Sequence, residues 1–287
     1  MPAGRAAPLA VVEVAPGVYV HHGAHAGVED PARGDIANIG FVVGERCVAV
    51  IDTGGSRATG AALREAIAAT TSLPVCYVID THAHFDHVLG NAAFVADKPQ
   101  FVGHTKLAAA LDASRDFFAE RFAAELGGPA SEVVLPTLQV EGTRELDLGG
   151  RKLVLEAVAE AHTNADLTVY DAQTRTLWSG DLVFMERLPV LDGSLRGWLA
   201  WIDAPPARPI DRVVPGHGPV SAPWPAALAP ERGYLSALLA DARAAVRDGR
   251  FLEDVAAAAH AHPPAGWLLT EPHARNASKA FREVEWE

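Results

Sequence analysis

The chain has 287 residues, 49% of them hydrophobic and 21% charged, the proportions of an ordinary globular fold with ample apolar material for a core. A formal net charge of −12 and the lack of any Lys/Arg run weigh against a general nucleic-acid role. No apolar stretch reaches the ~18 residues of a membrane span, so the expected partner is a small-molecule substrate, with oligomeric state left open.

The opening "MPAGRAAPLAVVEV" is too short for a secretory signal with an apolar centre. It suits the start of a cytoplasmic chain, or a periplasmic protein whose signal peptide was replaced by an initiator methionine. "GVYVHHG", "NIGFVVG" and "RCVAVIDTGG" are β-branched runs broken by glycine, as meandering antiparallel strands should be. Cys47 and Cys76 each lie in an apolar strand-like run. They read as two small buried hydrophobes rather than a disulfide or a ligand pair. "SRATGAALREAIAAT" has helical spacing with Ser56 or Thr59 as N-cap, and "PVCYVID" is a buried strand. A further strand and helix follow in "QFVGHTKLAAALDASRDFFAERFAAEL".

The second half repeats the plan, with strands at "RELDLGGRKLVLEAV", "DLTVYDAQTRTLWSGD" and "DRVVPGHG". From about residue 230 the chain is helical, ending in a helix after Pro272. Two halves of strands followed by helices predict one αββα sandwich domain spanning 1–287, two mixed sheets packed face to face with helices outside.

"VIDTHAHFDHVLGN" crowds His82, His84, Asp86 and His87 into the turn after the "PVCYVID" strand. Imidazole with carboxylate suits zinc and similar ions. Positions two apart in an extended segment point the same way, so His82 and His84 can face one ion. The turn then swings Asp86 and His87 toward a second. Two ions need more ligands, and His162, Asp181 and His217 each close an apolar run where strand ends converge on one rim. Isolated histidines such as His104, His260 and His273 read as packed or solvated side chains. So do His21, His22 and His25 near the N-terminus. Two adjacent cations can share a water and lower its pKa toward neutrality, with Asp86 placed to orient it and accept its proton.

This set (HxHxDH, a later His, an Asp in "SGD" and a His in "PGHG") resembles the metallo-β-lactamase superfamily over about residues 11–220. The resemblance implies that His82, His84 and His162 hold one zinc, and Asp86, His87 and His217 a second. Asp181 would bridge them, and Asp52 in "VIDTGG" would orient ligands. It implies hydrolysis of an ester, thioester, lactone or lactam, with weak β-lactamase turnover as a side activity. His84 stands where flavodiiron-type members carry Glu, and Asp181 where some β-lactamases carry Cys. The nuclease branch usually has a basic arm that is not seen here. "GDIANIGFVVG", "LPVLDGSLRGWLAWID" and "NASKAFREVEWE" resemble the SoxH-like group, also called quinoprotein relay system zinc metallohydrolases, which are usually exported. The alternatives are a mononuclear iron enzyme of the persulfide dioxygenase type and a non-catalytic ligand-binding relative in a periplasmic quinoprotein system. The insert after Asp181 carries Arg187, Arg196, Trp198 and Trp201. The tryptophans are expected on the core face of a helix, and an arginine at the pocket mouth to suit an anionic substrate.

Overall fold

A computed structural model describes residues 6–127 and 133–287. Among these residues the strands form two mixed sheets. The first runs in sequence order through β1 (Val12–Ala15), β2 (Val18–His21), β3 (Ile39–Val43), β4 (Val48–Ile51), β5 (Val75–Ile79), β6 (Gln100–His104) and β7 (Leu138–Val140). It is antiparallel as far as β4 and parallel beyond, because α1 (Arg57–Thr70) carries the chain back between β4 and β5. Ser56 is the N-cap of α1, its Oγ accepting the Thr59 N–H at 3.0 Å.

The second sheet comprises β8 (Thr143–Asp147), β9 (Lys152–Ala157), β10 (Leu167–Asp171), β11 (Thr176–Phe184), β12 (Arg212–His217) and the short β13 (Ala222–Pro223). The "RELDLGGRKLVLEAV" and "DLTVYDAQTRTLWSGD" runs are its antiparallel hairpins, β8–β9 and β10–β11, and β11 and β12 run parallel.

Alternation along each strand builds three layers of packing. Val20, Val42, Ile51, Ile79 and Val102 face Leu153, Leu155, Val169, Trp178 and Val214 across the gap between the sheets. On the outer face of the first sheet Phe41, Val50 and Val78 meet Leu63 and Ile67 of α1. Outside the second sheet lie α6 (Leu195–Asp203), α7 (Leu228–Arg247) and α9 (His273–Val284). The shorter α8 (Leu252–Ala261) packs on α9. This is the expected αββα sandwich.

Two local readings change. The single helix expected after β6 is three short ones, α3 (Leu107–Ala113), α4 (Arg115–Arg121) and α5 (Ala123–Leu126). The chain bends between them so that Phe118 and Phe122 pack under Phe85 of the one-turn α2 (Phe85–Val88). Cys47 and Cys76 form a disulfide, not two separate apolar plugs. Cys47 immediately precedes β4 and Cys76 lies in β5, its parallel neighbour, which brings their Cα atoms to 5.8 Å, inside bridging range.

Candidate metal centre

The rim of the sandwich where β5, β11 and β12 end gathers the seven polar residues singled out in the sequence. His82, His84, His162 and Asp181 form one group, and Asp86, His87 and His217 a second, their ligand atoms within 4.8 Å of one another in each. His82 and His84 lie in the turn after β5, and α2 lifts Asp86 and His87 toward the second group. His162 comes from the β9–β10 connection, and His217 ends β12. Asp181 lies inside β11 rather than at its end, within an irregularity of the β11–β12 register. That bulge turns its carboxylate to the rim. Close packing needs glycines here: a Cβ on Gly216 would sit on Asp181 Oδ1, and one on Gly180 would strike Thr81.

The Asp181 carboxylate faces both groups. Its Oδ2 lies 3.6 Å from His82 Nε2 and 3.4 Å from His162 Nε2, and its Oδ1 lies 3.2 Å from His87 Nε2 and 3.3 Å from His217 Nε2. Asp86 Oδ2 is 3.3 Å from His217 Nε2.

The opposite ring nitrogens fix which edge of each imidazole faces inward. The Nδ1 protons of His87 and His162 go to Asp52 Oδ2 at 2.7 Å and the Val190 carbonyl at 2.7 Å. That of His217 goes to the Ile36 carbonyl at 2.8 Å, and that of His82 to Thr81 Oγ1 at 3.1 Å. His84 is turned round: its Nε2 proton goes to Asp192 at 2.8 Å, so its Nδ1 faces the cluster. With those protons committed, His162 Nε2 and His84 Nδ1 turn bare lone pairs to each other at 3.0 Å. A shared cation stabilises that arrangement; two neutral rings alone do not. His82 Nε2, His87 Nε2 and Asp181 Oδ1 are also buried with no protein partner. The donor set therefore fits divalent cations of the zinc type.

Electrostatics agree. Burial lowers the pKa of His82, His84 and His162, the last to about 3, keeping these rings neutral as ligands must be. Burial works against the charge of His87 too, but Asp181, Asp52 and Asp86 outweigh it and raise its pKa well above the usual value. A nitrogen so attractive to a proton attracts a cation equally. Burial would raise Asp86 and Asp181, but the neighbouring histidines outweigh it and hold both carboxylates low.

Several residues matter that sequence reasoning passed over. Asp192 orients His84. Asn38, buried, donates through Nδ2 to the Pro215, Gly218 and Pro219 carbonyls and so frames the turn that carries His217. Asn38 and Asp192 lie inside the phrases "GDIANIGFVVG" and "LPVLDGSLRGWLAWID" but had no role assigned there; Asp52 alone did, and it accepts from Thr81 N–H, Thr81 Oγ1 and His87.

The arginines do not line a mouth. Arg196 is bound at the surface to Glu283 and Glu287. Arg187 is buried, with Nη1 3.2 Å from Nδ1 of His217, the edge opposite the cluster. Because that Nδ1 donates to Ile36, it cannot also accept from the guanidinium. Trp198 is core, its Nε1 donating to the Leu182 carbonyl at 3.0 Å and its ring packed on His162, while half-buried Trp201 packs near Trp224. His104 and His273 are local partners of Lys106 N–H and Tyr234, and His260 is exposed. His21 pairs with Asp35 and His25 with Glu186, while His22 is exposed, its ring lying edge-on near that of His25.

Comparison with known proteins gives no match among curated sequences. Among solved structures, a metallo-beta-lactamase from Pontibacter korlensis is 22% identical over 79% of this chain and 99% of its own, with a TM-score of 0.60. TMB-1 is 18% identical over 80% of this chain and 97% of its own, with a TM-score of 0.60. The stereoselective inverting sec-alkylsulfatase Pisa1 from Pseudomonas sp. is 18% identical, with a TM-score of 0.68; the match covers 97% of this chain but only 51% of that one. These likenesses carry the fold. The pattern of the metallo-beta-lactamase superfamily matches residues 32–217, more than half the chain, including every residue of the two clusters. On that match and this geometry, the chain belongs to the metallo-beta-lactamase superfamily.

Proposed function

We propose that this protein is a dinuclear zinc hydrolase that cleaves an ester, thioester, lactone or lactam bond of a small molecule. The observation that carries the reading is the Asp181 carboxylate, one oxygen toward each group, set among buried imidazole nitrogens that have no other partner. His82, His84 and His162 would hold one cation and Asp86, His87 and His217 the other, with Asp181 between them. When bound, the pair supplies a Lewis acid for the substrate oxygen and a lowered pKa for water.

The chain's own residues do the rest. Asp86 is ionised and buried at the second group, where it orients the attacking water and takes its proton on the carboxylate. Asp52, Asp192 and the carbonyls of Ile36 and Val190 lock the imidazoles so that no reorganisation accompanies turnover.

A mononuclear iron oxygenase needs two histidines and one aspartate, so the second complete group favours two cations. The SoxH-like phrases in the sequence support that subgroup. The Cys47–Cys76 disulfide supports an oxidising compartment, hence the periplasm.

The test is metal content of natively purified protein by mass spectrometry, with a panel of thioester, lactone, β-lactam, phosphodiester and secondary alkyl sulfate substrates on wild type and Asp86→Ala. About two zinc ions per chain, with turnover lost in the variant by roughly a hundredfold or more, is expected. One iron per chain with no hydrolysis refutes the reading.

A further inference from the structure

Residues 188–194, between β11 and α6, form neither helix nor strand. Yet this segment orients two of the clustered histidines. Its Val190 carbonyl accepts from His162, and its Asp192 carboxylate accepts from His84. It also wraps the His162 backbone: the N–H groups of Asp192 and Gly193 donate to the His162 carbonyl at 3.0 and 2.6 Å, and that of Ser194 to the Ala161 carbonyl at 2.9 Å. An irregular segment keeps such a shape only if something else determines it.

That something is α9, which lies beyond the matched superfamily region ending at residue 217. Asn276, fully buried, accepts the Leu191 N–H at 3.0 Å and donates to the Pro189 carbonyl at 2.7 Å and to the Tyr234 hydroxyl at 2.9 Å. Lys279 Nζ donates to the Asp192 carbonyl at 2.6 Å, and Arg275 is ion-paired with the Asp192 carboxylate. One turn further on, Glu283 accepts from Ser194 Oγ and the Leu195 N–H, each at 2.7 Å. A single helix face thus grips the segment from Pro189 through Leu195. The second group is held independently, by Asp52 for His87 and the Ile36 carbonyl for His217. His82 leans on Thr81, whose own partner is Asp52 and not a residue of α9.

We propose that α9 is a clamp that sets cation affinity at the first ligand group selectively, by positioning His84 and His162 through residues 189–194, with Asp192 as the positioning residue. This rests on the two-cation reading above. The clamp is also a route by which anything that shifts the C-terminal helix would loosen one cation and not the other.

The experiment is zinc titration of the full-length, chelator-stripped chain against a competing chromophoric chelator, with thermal melting of the metal-free protein in parallel. The His217→Ala chain keeps the first group complete and identifies its dissociation constant. Asp192→Ala should weaken that constant roughly 10–100-fold. Arg275→Gln, on a side chain that is 62% exposed and so safe for folding, should weaken it less. In otherwise wild-type protein the other constant should stay unchanged for both variants, and Arg275→Gln should leave the metal-free melting temperature where it was. A merely structural role for α9 would move both constants and the melting temperature together. That result, or unchanged constants in Asp192→Ala, overturns the proposal. A wild-type chain that binds only one cation, or none, sinks the two-cation reading itself and this proposal with it.

Discussion

Replacing Asp52 with asparagine isolates one charge behind the cluster. Asp52 is buried and accepts three hydrogen bonds: Thr81 N–H at 2.8 Å on Oδ1, and Thr81 Oγ1 at 2.8 Å and His87 Nδ1 at 2.7 Å on Oδ2. Its backbone has φ of 54°, a left-handed conformation that asparagine adopts readily, so the substitution leaves the chain path alone. Asparagine keeps one acceptor oxygen and puts an NH₂ where Oδ2 was. That NH₂ then confronts the His87 Nδ1 proton. Losing a hydrogen bond to a charged acceptor costs about 1.5–3 kcal/mol, which converts to roughly 10–100-fold in cation affinity at the second group. Competitive titration against a chelator reads the affinity, and melting of the metal-free protein reads the fold. Asp52→Ala should add about 1 kcal/mol of backbone strain that appears in the melting temperature as well. An Asp52→Asn chain that holds both cations as tightly as wild type would show that His87 is oriented by something else, and would refute the reasoning.

Other outcomes follow from the same contacts. Reducing the Cys47–Cys76 bond, which closes a separation of 29 residues, should lower unfolding stability by about 3.5 kcal/mol on chain-entropy grounds, read as a shift of the urea midpoint; no shift would mean the bridge does not form in solution. Asn38→Asp puts an oxygen against the carbonyls of Pro215, Gly218 and Pro219 and should destabilise by about 3 kcal/mol in the same assay. The His162 contribution to the metal-free fold should be lost in acid. Burial holds His162 at about 3 against the usual 6.5, so below pH 6.5 the unfolded chain takes up a proton that the folded chain refuses. This contribution is present above pH 6.5 and is lost by about 1.4 kcal/mol per unit as pH falls toward 3. His82 and His84, also lowered by burial, add in the same direction, whereas raised His87 loses its contribution only above its usual 6.5. Burial raises Asp80, Asp166 and Glu231, whose folded forms bind protons before the unfolded chain does and so oppose this trend. The test is therefore a difference: equal changes in melting temperature between pH 6.5 and pH 5 for chelator-treated wild type and His162→Gln would contradict the His162 contribution.

Most of the architecture and the identity of the clustered side chains are legible in the linear chain. Strand alternation and helical spacing are local properties of the chain, and they announce the two-sheet plan from "GVYVHHG" to "VVPGHG" without knowledge of what pairs with what. The HxHxDH spacing is local as well: six consecutive positions just after β5 put four donors close together, whereas of the remaining three only His217 ends a strand, His162 lying in the β9–β10 connection and Asp181 inside β11. Long-range packing sets who stands behind whom. That β4 and β5 are neighbours, so that Cys47 reaches Cys76, is a fact of strand pairing and not of either strand's composition. That Arg187 lies on the far edge of His217, and Arg196 on the surface with Glu283, follows from how the insert after Asp181 docks. Asp192 carries no local signal of its role: α9, far along the chain, folds back to hold it against His84. Orientation of ligands comes from hydrogen bonds between segments remote in sequence, and such pairings leave no periodicity for a linear reading to detect.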